Sequence, residues 1–188
     1  MSLDIGAVQK ALAADGLDAW LLYDFHGSNP VSYRLAGMGG AGHLATRRWF
    51  YLIPRSGEPQ ALVHAIERYN LDHMPGSKTV YAGREQLLAG LTKLLKGLKR
   101  VAMEYSPGDA VPYLDRVPAG VLEMVRGAGA TVVTSAELVT AFYATATPQT
   151  FNTTGSRSFA TNASMTIWYQ VGPTAPTEPF TAPAAPIQ

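Results

Sequence analysis

Short apolar runs of strand length alternate with helical leucine patterns along the first 143 residues of this 188-residue chain. Residues 17–23 and 101–105 are apolar runs of this kind, and both are bounded by turn residues. Between them, leucines recur at spacings of three and four, which predicts an amphipathic helix. These leucines are Leu87, Leu88, Leu91, Leu94, Leu95 and Leu98. Strands that alternate with helices favour an α/β fold with a mixed sheet over a helical bundle or a β-sandwich.

The remaining elements are predicted from caps, turns and alternation. Asn29 before Pro30 is typical of a helix cap followed by proline in the first turn, and this helix is expected to end at Gly37. Residues 46–54 and 60–65 are predicted as two strands joined by a hairpin. The other predicted elements are helices over 4–14, around 121–125 and from a Ser135 cap to Tyr143, and strands over 78–82 and 131–134.

Composition changes sharply near Ala144. Residues 144–188 carry two charges, Arg157 and Glu178, with ten Thr, eight Ala and six Pro, whereas the first 143 residues carry the other 27 charges. A segment of this composition cannot easily bury enough apolar surface to offset its ordering entropy. We therefore expect a folded domain over residues 1–143 and a tail over 144–188 that is disordered or non-native.

Charge and cysteine content exclude several function classes. Fifteen Lys and Arg balance fourteen Asp and Glu, so no overall field is available to hold nucleic acid. The absence of cysteine excludes disulfides, thiolate metal sites and a cysteine nucleophile, and it favours a cytoplasmic location. No apolar run approaches the roughly 20 residues that span a bilayer, and the first residues do not resemble a signal peptide, so we expect no membrane partner.

Motifs for catalysis or cofactor binding are absent or stand in the wrong context. The loop from Gly37 to Gly42 matches the dinucleotide fingerprint G-x-G-x-x-G, but a predicted helix precedes it and a predicted strand follows it. The four histidines lack metal-site spacing, although His64 and Glu67 could converge. No serine lies in a G-x-S-x-G elbow. We predict no catalytic residue, no metal site and no cofactor in this chain.

Arg47 and Arg48 are the candidate binding residues. They stand beside the glycine-rich loop at the start of a predicted strand, where two guanidinium groups could clamp a carboxylate bidentately. Because alternate strand residues point to opposite faces of a sheet, we expect at most one of the pair to face any given site. The sequence therefore predicts a substrate or interface role for one of these two arginines.

Six segments, in the order expected for one domain, carry a resemblance to a known family. They are Gly16-Leu17-Asp18-Ala19-Trp20-Leu21-Leu22, Asn29-Pro30-Val31-Ser32-Tyr33-Arg34-Leu35-Ala36-Gly37, Thr46-Arg47-Arg48-Trp49-Phe50-Tyr51-Leu52-Ile53-Pro54, Leu62-Val63-His64-Ala65-Ile66-Glu67, Glu104-Tyr105-Ser106-Pro107-Gly108 and Thr134-Ser135-Ala136-Glu137-Leu138-Val139. Together they resemble the N-terminal domain of creatinase, prolidase and aminopeptidase P enzymes over about residues 3–143.

The resemblance implies a mixed sheet flanked by helices in a ribonuclease H-like arrangement, and a domain that is not itself catalytic. In that family a separate pita-bread domain holds two divalent ions, such as Mn, Co or Zn, with two Asp, one His and two Glu. After Tyr143 this sequence has one carboxylate, Glu178, and no histidine or aspartate, so we expect the catalytic domain to be absent from the chain. The implied partners are that catalytic domain and a second copy in a homodimer.

The resemblance also assigns a role to the candidate arginines. In creatinase-like members an arginine near the start of the second strand reaches the substrate carboxylate of the neighbouring subunit. Arg47 or Arg48 stands at the matching place, and His43 could line the same wall. The implied function is a non-catalytic N-terminal domain of an Xaa-Pro peptidase that helps to form the dimer and the partner's active site.

Two alternatives remain open. One is a stand-alone module that binds a small anionic or peptide ligand through the Gly37 to Gly42 loop and Arg47 or Arg48. The other is a nucleotide-dependent enzyme based on the glycine fingerprint.

Overall fold

The computed structural model describes residues 3–38, 45–135, 143–162, 167–177 and 180–186. The chain divides into two compact units, Met1–Leu138 and Val139–Gln188, so the division falls five residues before the change in composition. Residues 136–142, which contain most of the last predicted helix, lie outside the described residues.

The first unit alternates strands and helices as the apolar pattern predicts. Its helices are α1 (Ile5–Ala14), α2 (Pro30–Leu35), α3 (Arg84–Leu94) and α4 (Ala119–Gly127). Its strands are β1 (Ala19–Asp24), β2 (Trp49–Pro54), β3 (Gln60–His64), β4 (Ser77–Tyr81), β5 (Arg100–Met103) and β6 (Thr131–Thr134). Short 3₁₀ helices occur at Ala65–Glu67, Pro107–Asp109 and Pro112–Leu114.

The six strands form one mixed sheet in the order β4-β3-β2-β1-β5-β6. β2 pairs antiparallel with β1 and β3, as the predicted hairpin requires, whereas the pairs β3–β4, β1–β5 and β5–β6 are parallel. It follows that β1, β3 and β4 run in one direction and end at the same edge of the sheet, where β2 begins. The predicted mixed α/β fold is confirmed.

At the central strands both faces of the sheet are buried, because helices cover each of them, whereas the edge strand β4 is mostly exposed. Leu21 and Phe50 pack with α3 and α4 on one face, and Leu22 and Trp49 pack with α1 and α2 on the other. Successive residues of a strand point to opposite faces, so strands covered on both sides consist of nearly continuous apolar residues. This arrangement explains why the central strands appear in the sequence as unbroken apolar runs.

Helix α3 is shorter than the leucine pattern predicts. The pattern continues to Leu98, but the helix ends at Leu94, and Gly97 adopts a left-handed conformation with φ of 82°. Glycine takes this conformation without steric cost, so it ends the helix while the chain stays close to the core. Leu95 remains fully buried beyond the helix end, which explains why the apolar spacing extends past it.

The second unit contains a four-stranded antiparallel sheet in the order β10-β9-β8-β7. Its strands are β7 (Tyr143–Ala146), β8 (Arg157–Asn162), β9 (Ile167–Val171) and β10 (Ala185–Pro186). These strands lie in the segment whose composition predicts disorder. Its threonines and aromatic residues favour extended backbone despite the low charge, and the rings of Trp168 and Phe180 stack with centroids 5.4 Å apart. That this segment is non-native stays a prediction.

Within the described residues, no helix is long and apolar enough to cross a membrane.

Candidate functional site

A cleft of about 320 Å³ lies at the edge of the sheet where β1, β3 and β4 end. Phe25 follows β1, His64 ends β3, and Tyr81 ends β4. The residues that line it are Phe25, Arg47, Arg48, His64, Tyr81, Ala82, Gly83, Arg84 and Leu87. In open α/β sheets, ligands commonly bind at the carboxyl ends of parallel strands. The fold therefore brings Arg47 and Arg48 to a typical ligand-binding position.

Glu67 holds the chain in the bend that precedes β2. Its carboxylate accepts hydrogen bonds from the backbone nitrogens of Thr46 at 2.7 Å and Arg47 at 3.0 Å, and also from the Thr46 hydroxyl. Partial burial acts to raise the pKa of Glu67, but these hydrogen bonds outweigh it, so the pKa lies below its usual value. An ionised Glu67 thus fixes the backbone from which both candidate arginines extend.

Both arginines line the cleft, and the expectation that only one could do so is wrong. That expectation assumed strand geometry, but β2 begins at Trp49, and Arg47 and Arg48 lie in the bend before it. Strict alternation of side chains holds only within an extended strand. A bend stabilised by Glu67 lets two consecutive side chains contribute to the same site.

Arg48 packs against Phe25, and its side chain also hydrogen-bonds to Tyr23. Its guanidinium carbon lies 5.9 Å from the centre of the Phe25 ring, within the range of a cation–π interaction. Its backbone oxygen accepts a hydrogen bond of 2.7 Å from the Tyr81 hydroxyl. Burial raises the pKa of Tyr81 to about 12, although the positive charge of Arg48 acts in the opposite direction. Tyr81 therefore stays protonated and serves as a hydrogen-bond donor.

Arg84 adds a third positive charge to the cleft, which the sequence analysis missed. It is the first residue of α3 and is exposed to solvent, as is Arg47. The Arg47 guanidinium donates hydrogen bonds of 3.2 Å to the backbone oxygen and to the hydroxyl of Thr46. Among the residues that the structure describes, no carboxylate lines the cleft. The available signal for Arg84 was a basic residue just after the predicted strand over 78–82.

Both ring nitrogens of His64 form hydrogen bonds with nearby backbone groups. Its Nδ1 accepts a hydrogen bond of 3.1 Å from the nitrogen of Ile66, so the proton resides on Nε2, which lies 3.1 Å from the oxygen of Ala82. Both ring nitrogens are therefore occupied, and His64 and Glu67 do not form a metal site. No group of three or more His, Cys, Asp or Glu able to hold a metal ion occurs in the described part of the chain.

The glycine-rich loop falls largely outside the described residues. Gly37 and Met38 are described, but residues 39–44, including the candidate His43, are not. The elements around the loop are α2 before it and β2 after it. The context that argued against a dinucleotide site is confirmed, because a strand follows the glycines where a Rossmann site requires a helix.

Glu104, the residue after β5, is a buried carboxylate, in contrast to the arginines that line the cleft. It is completely shielded from solvent. One carboxylate oxygen accepts a hydrogen bond of 2.7 Å from the Trp20 indole nitrogen, and the other accepts hydrogen bonds from Asn29 Nδ2 at 2.7 Å and Ser32 Oγ at 2.6 Å. Burial raises the pKa of Glu104, and these hydrogen bonds reduce the rise without cancelling it.

Asp24 connects this buried group to the cleft. It accepts hydrogen bonds from the backbone nitrogens of Gly27 at 2.9 Å and Asn29 at 2.8 Å, which fixes the turn that carries Phe25. The buried acidic cluster, which we define as Trp20, Asp24, Asn29, Ser32 and Glu104, therefore supports one wall of the cleft. This cluster was not predicted from the sequence, since a single acidic residue after a strand gives no periodic signal.

Solved structures of N-terminal dipeptidase domains share this fold. The Creatine_N superfamily domain of a dipeptidase from Streptococcus thermophilus aligns with a TM-score of 0.52 and 14% identity, over 72% of this chain and 93% of that one. The N-terminal domain of an Xaa-Pro dipeptidase from Lactobacillus brevis aligns with a TM-score of 0.50 and 15% identity, over 66% of this chain and 86% of that one.

A longer solved structure also contains this fold. The prolidase from Pyrococcus horikoshii aligns with a TM-score of 0.50 and 14% identity, over 71% of this chain but only 33% of that one. This chain therefore spans about a third of the length of that prolidase. No protein-family model matches the chain, and no curated protein sequence is significantly similar to it. By its structure, the first unit has the fold of the N-terminal domains of Xaa-Pro dipeptidases.

Proposed function

We propose that this chain is the non-catalytic N-terminal domain of a cytoplasmic Xaa-Pro peptidase. The observation that carries the proposal is the combination of the dipeptidase N-terminal fold with a basic cleft at the carboxyl edge of its sheet. In this proposal a pita-bread metallopeptidase domain outside these residues supplies the two divalent ions and the hydrolytic chemistry. This chain supplies binding and positioning groups only.

The described residues support a role without catalysis. The basic groups of the cleft are three arginines and a histidine whose ring nitrogens are both engaged. Arginine stays protonated at all physiological pH values, so it can hold an anion but cannot act as a general base. The cleft is therefore suited to binding and orientation of a charged group.

The proposed role of the cleft is to wall the active site of a partner subunit in a homodimer. There Arg47 or Arg48, with His43 on the same wall, would meet the substrate carboxylate. A guanidinium that donates two parallel hydrogen bonds fixes the direction of a carboxylate as well as its position. Substitution of either arginine in an enzyme containing this domain should then raise KM more than it lowers kcat.

Two measurements on the chain test this proposal. Sedimentation velocity should show a reversible dimer, and incubation with Xaa-Pro dipeptides and Mn²⁺ should release no free proline. A chain that remains monomeric at all accessible concentrations would remove the dimer from the proposal. Hydrolysis that persists through purification and disappears in Arg48→Ala would contradict the non-catalytic role.

A second candidate function is a stand-alone module that binds a small ligand. One observation favours it: Arg47, Arg48 and Arg84 line the cleft, and among the described residues no carboxylate lines it.

A further inference from the structure

The cleft concentrates positive charge in a small volume. Arg47 and Arg48 from the bend before β2 and Arg84 at the start of α3 all line it. Clefts lined by charge of one sign focus the electrostatic field and raise the local concentration of ligands of opposite sign. A single carboxylate would neutralise only one of the three guanidinium groups.

Glu67 interacts electrostatically with Arg47, but its carboxylate is already engaged by other hydrogen-bond donors. Glu67 already accepts hydrogen bonds from the backbone nitrogen and hydroxyl of Thr46, the backbone nitrogen of Arg47 and the side-chain amide of Asn70. It does not line the cleft. Its acceptor positions are used to hold the bend. The Arg48 guanidinium lies over the Phe25 ring and hydrogen-bonds to Tyr23, which uses part of its five N–H donors, so Arg48 keeps donors for a ligand beside those of Arg84.

The volume of the cleft and its aromatic residues define the kind of ligand that it can bind. A volume of about 320 Å³ is at the lower end of the range for small-molecule sites and favours a compact molecule. Phe25 and Tyr81 give the cleft aromatic surface beside its three arginines. Such a lining suits a molecule that has a short spacer and more than one anionic group.

We propose that this cleft binds a small molecule that carries at least two anionic groups, with Arg48 and Arg84 as the principal contacts. Phosphoryl and carboxylate groups share the required chemistry, because a guanidinium fork can bind either one bidentately. This inference goes beyond the proposed peptidase role, since it requires neither a partner subunit nor a catalytic domain.

The test is isothermal titration of the full chain with three probes. Pyrophosphate and tricarballylate represent the phosphoryl and carboxylate forms of a multiply charged ligand, and acetate represents a single charge. We expect one or both multiply charged probes to bind with Kd between about 10 µM and 1 mM, at least about tenfold tighter than acetate. Affinity should fall as ionic strength rises from about 0.01 M to about 0.15 M, because the Debye length shortens from about 30 Å to about 8 Å.

Variants locate the binding. Arg84→Ala should weaken the bound probe at least about tenfold, the loss of one bidentate contact. Lys93→Ala is the matched control: it removes one positive charge from the same helix, nine residues or about 14 Å further along. It should leave the affinity unchanged. Circular dichroism checks that each variant is folded, and Arg84→Gln replaces Arg84→Ala if the latter is not.

Two results would overturn the inference. In the first, neither multiply charged probe binds more tightly than acetate. In the second, Lys93→Ala weakens binding as much as Arg84→Ala, which would make the interaction a general effect of surface charge. Neither result bears on the proposed peptidase role, which is tested separately by oligomeric state and hydrolysis.

Discussion

The buried acidic cluster and the basic cleft lie side by side in the first unit, yet they satisfy their polar groups in opposite ways. Glu104 is shielded from solvent, and its carboxylate is surrounded by three donors from Trp20, Asn29 and Ser32. Arg48 and Arg84 line an open cleft in which no described carboxylate faces them. Polar groups that the fold has already paired serve stability, whereas charged groups left facing an open cleft are available for a ligand.

The largest effect should follow removal of the buried carboxylate. Glu104→Ala leaves the buried Ser32 hydroxyl and the half-buried Trp20 indole N–H without their acceptor, and Asn29 loses one of its three, so the free energy of unfolding should fall by about 3 kcal/mol. Urea denaturation measures this change. Glu123→Ala, which removes an exposed carboxylate from α4, is the control and should have almost no effect. Equal stability of the two variants would show that the cluster does not support the fold.

The pH dependence of stability sharpens the same contrast. Burial raises the pKa of Glu104 above the ordinary value of 4.5, so the folded protein binds the proton more tightly than the unfolded chain. The free energy of unfolding should therefore fall as pH rises from about 4.5 through the raised pKa, by about 1.4 kcal/mol for each pKa unit of the shift. Glu104→Gln cannot ionise and should lack this component. A wild-type curve parallel to that of the variant above pH 4.5 would contradict the raised pKa.

Glu67 should make the free energy of unfolding depend on pH in the opposite direction to Glu104, and the change should be smaller. Its pKa is lowered by hydrogen bonds in the folded state, so it stabilises the fold above its ordinary pKa and loses this contribution as pH falls through the lowered value. Glu67→Gln should cost about 1 kcal/mol at neutral pH, since the amide group cannot accept all the hydrogen bonds of the carboxylate. Glu58→Gln, at an exposed position in the β2–β3 turn, is the control. If the loss of free energy of unfolding in Glu67→Gln grew as pH fell, the pKa of Glu67 would not be lowered in the folded state.

The smallest effects on stability are expected in the cleft. Arg84→Ala removes an exposed side chain and should change the free energy of unfolding by less than about 0.5 kcal/mol. Thermal denaturation beside wild type measures this. A loss comparable with that of Glu104→Ala would mean that the cleft arginines are structural, and the contrast between the two regions would fail.

Sequence patterns predicted those parts of the fold that depend on periodicity. The strands of the first unit and the turn between β2 and β3 follow from apolar runs and from caps such as Asn29 before Pro30. The end of α3 was misplaced because Leu95 and Leu98 pack on the core after the helix has stopped. Up to Leu94 the buried leucines lie on the helix, whereas around Gly97 the chain is no longer helical but still packs on the core.

The site was only partly predictable from the sequence, because the order and direction of the strands bring its residues together from separate parts of the chain. Arg47 and Arg48 were identified from their position beside a strand, but their shared orientation depends on the Glu67 carboxylate 20 residues away. Arg84 reaches the cleft because β4 runs parallel to β3 and ends at the same edge. Sheet order decides which strand ends become neighbours, and local sequence patterns do not specify that order.

A crystal structure of the full chain with pyrophosphate would test the central claim most directly. The account predicts the anion in the cleft between Arg48 and Arg84, with guanidinium nitrogens about 2.7–2.9 Å from its oxygens, while Glu67 keeps its hydrogen bonds to the Thr46–Arg47 bend. Pyrophosphate bound instead along the lysines that end α3 and follow it, with the cleft holding only water, would contradict the claim that the cleft is a binding site.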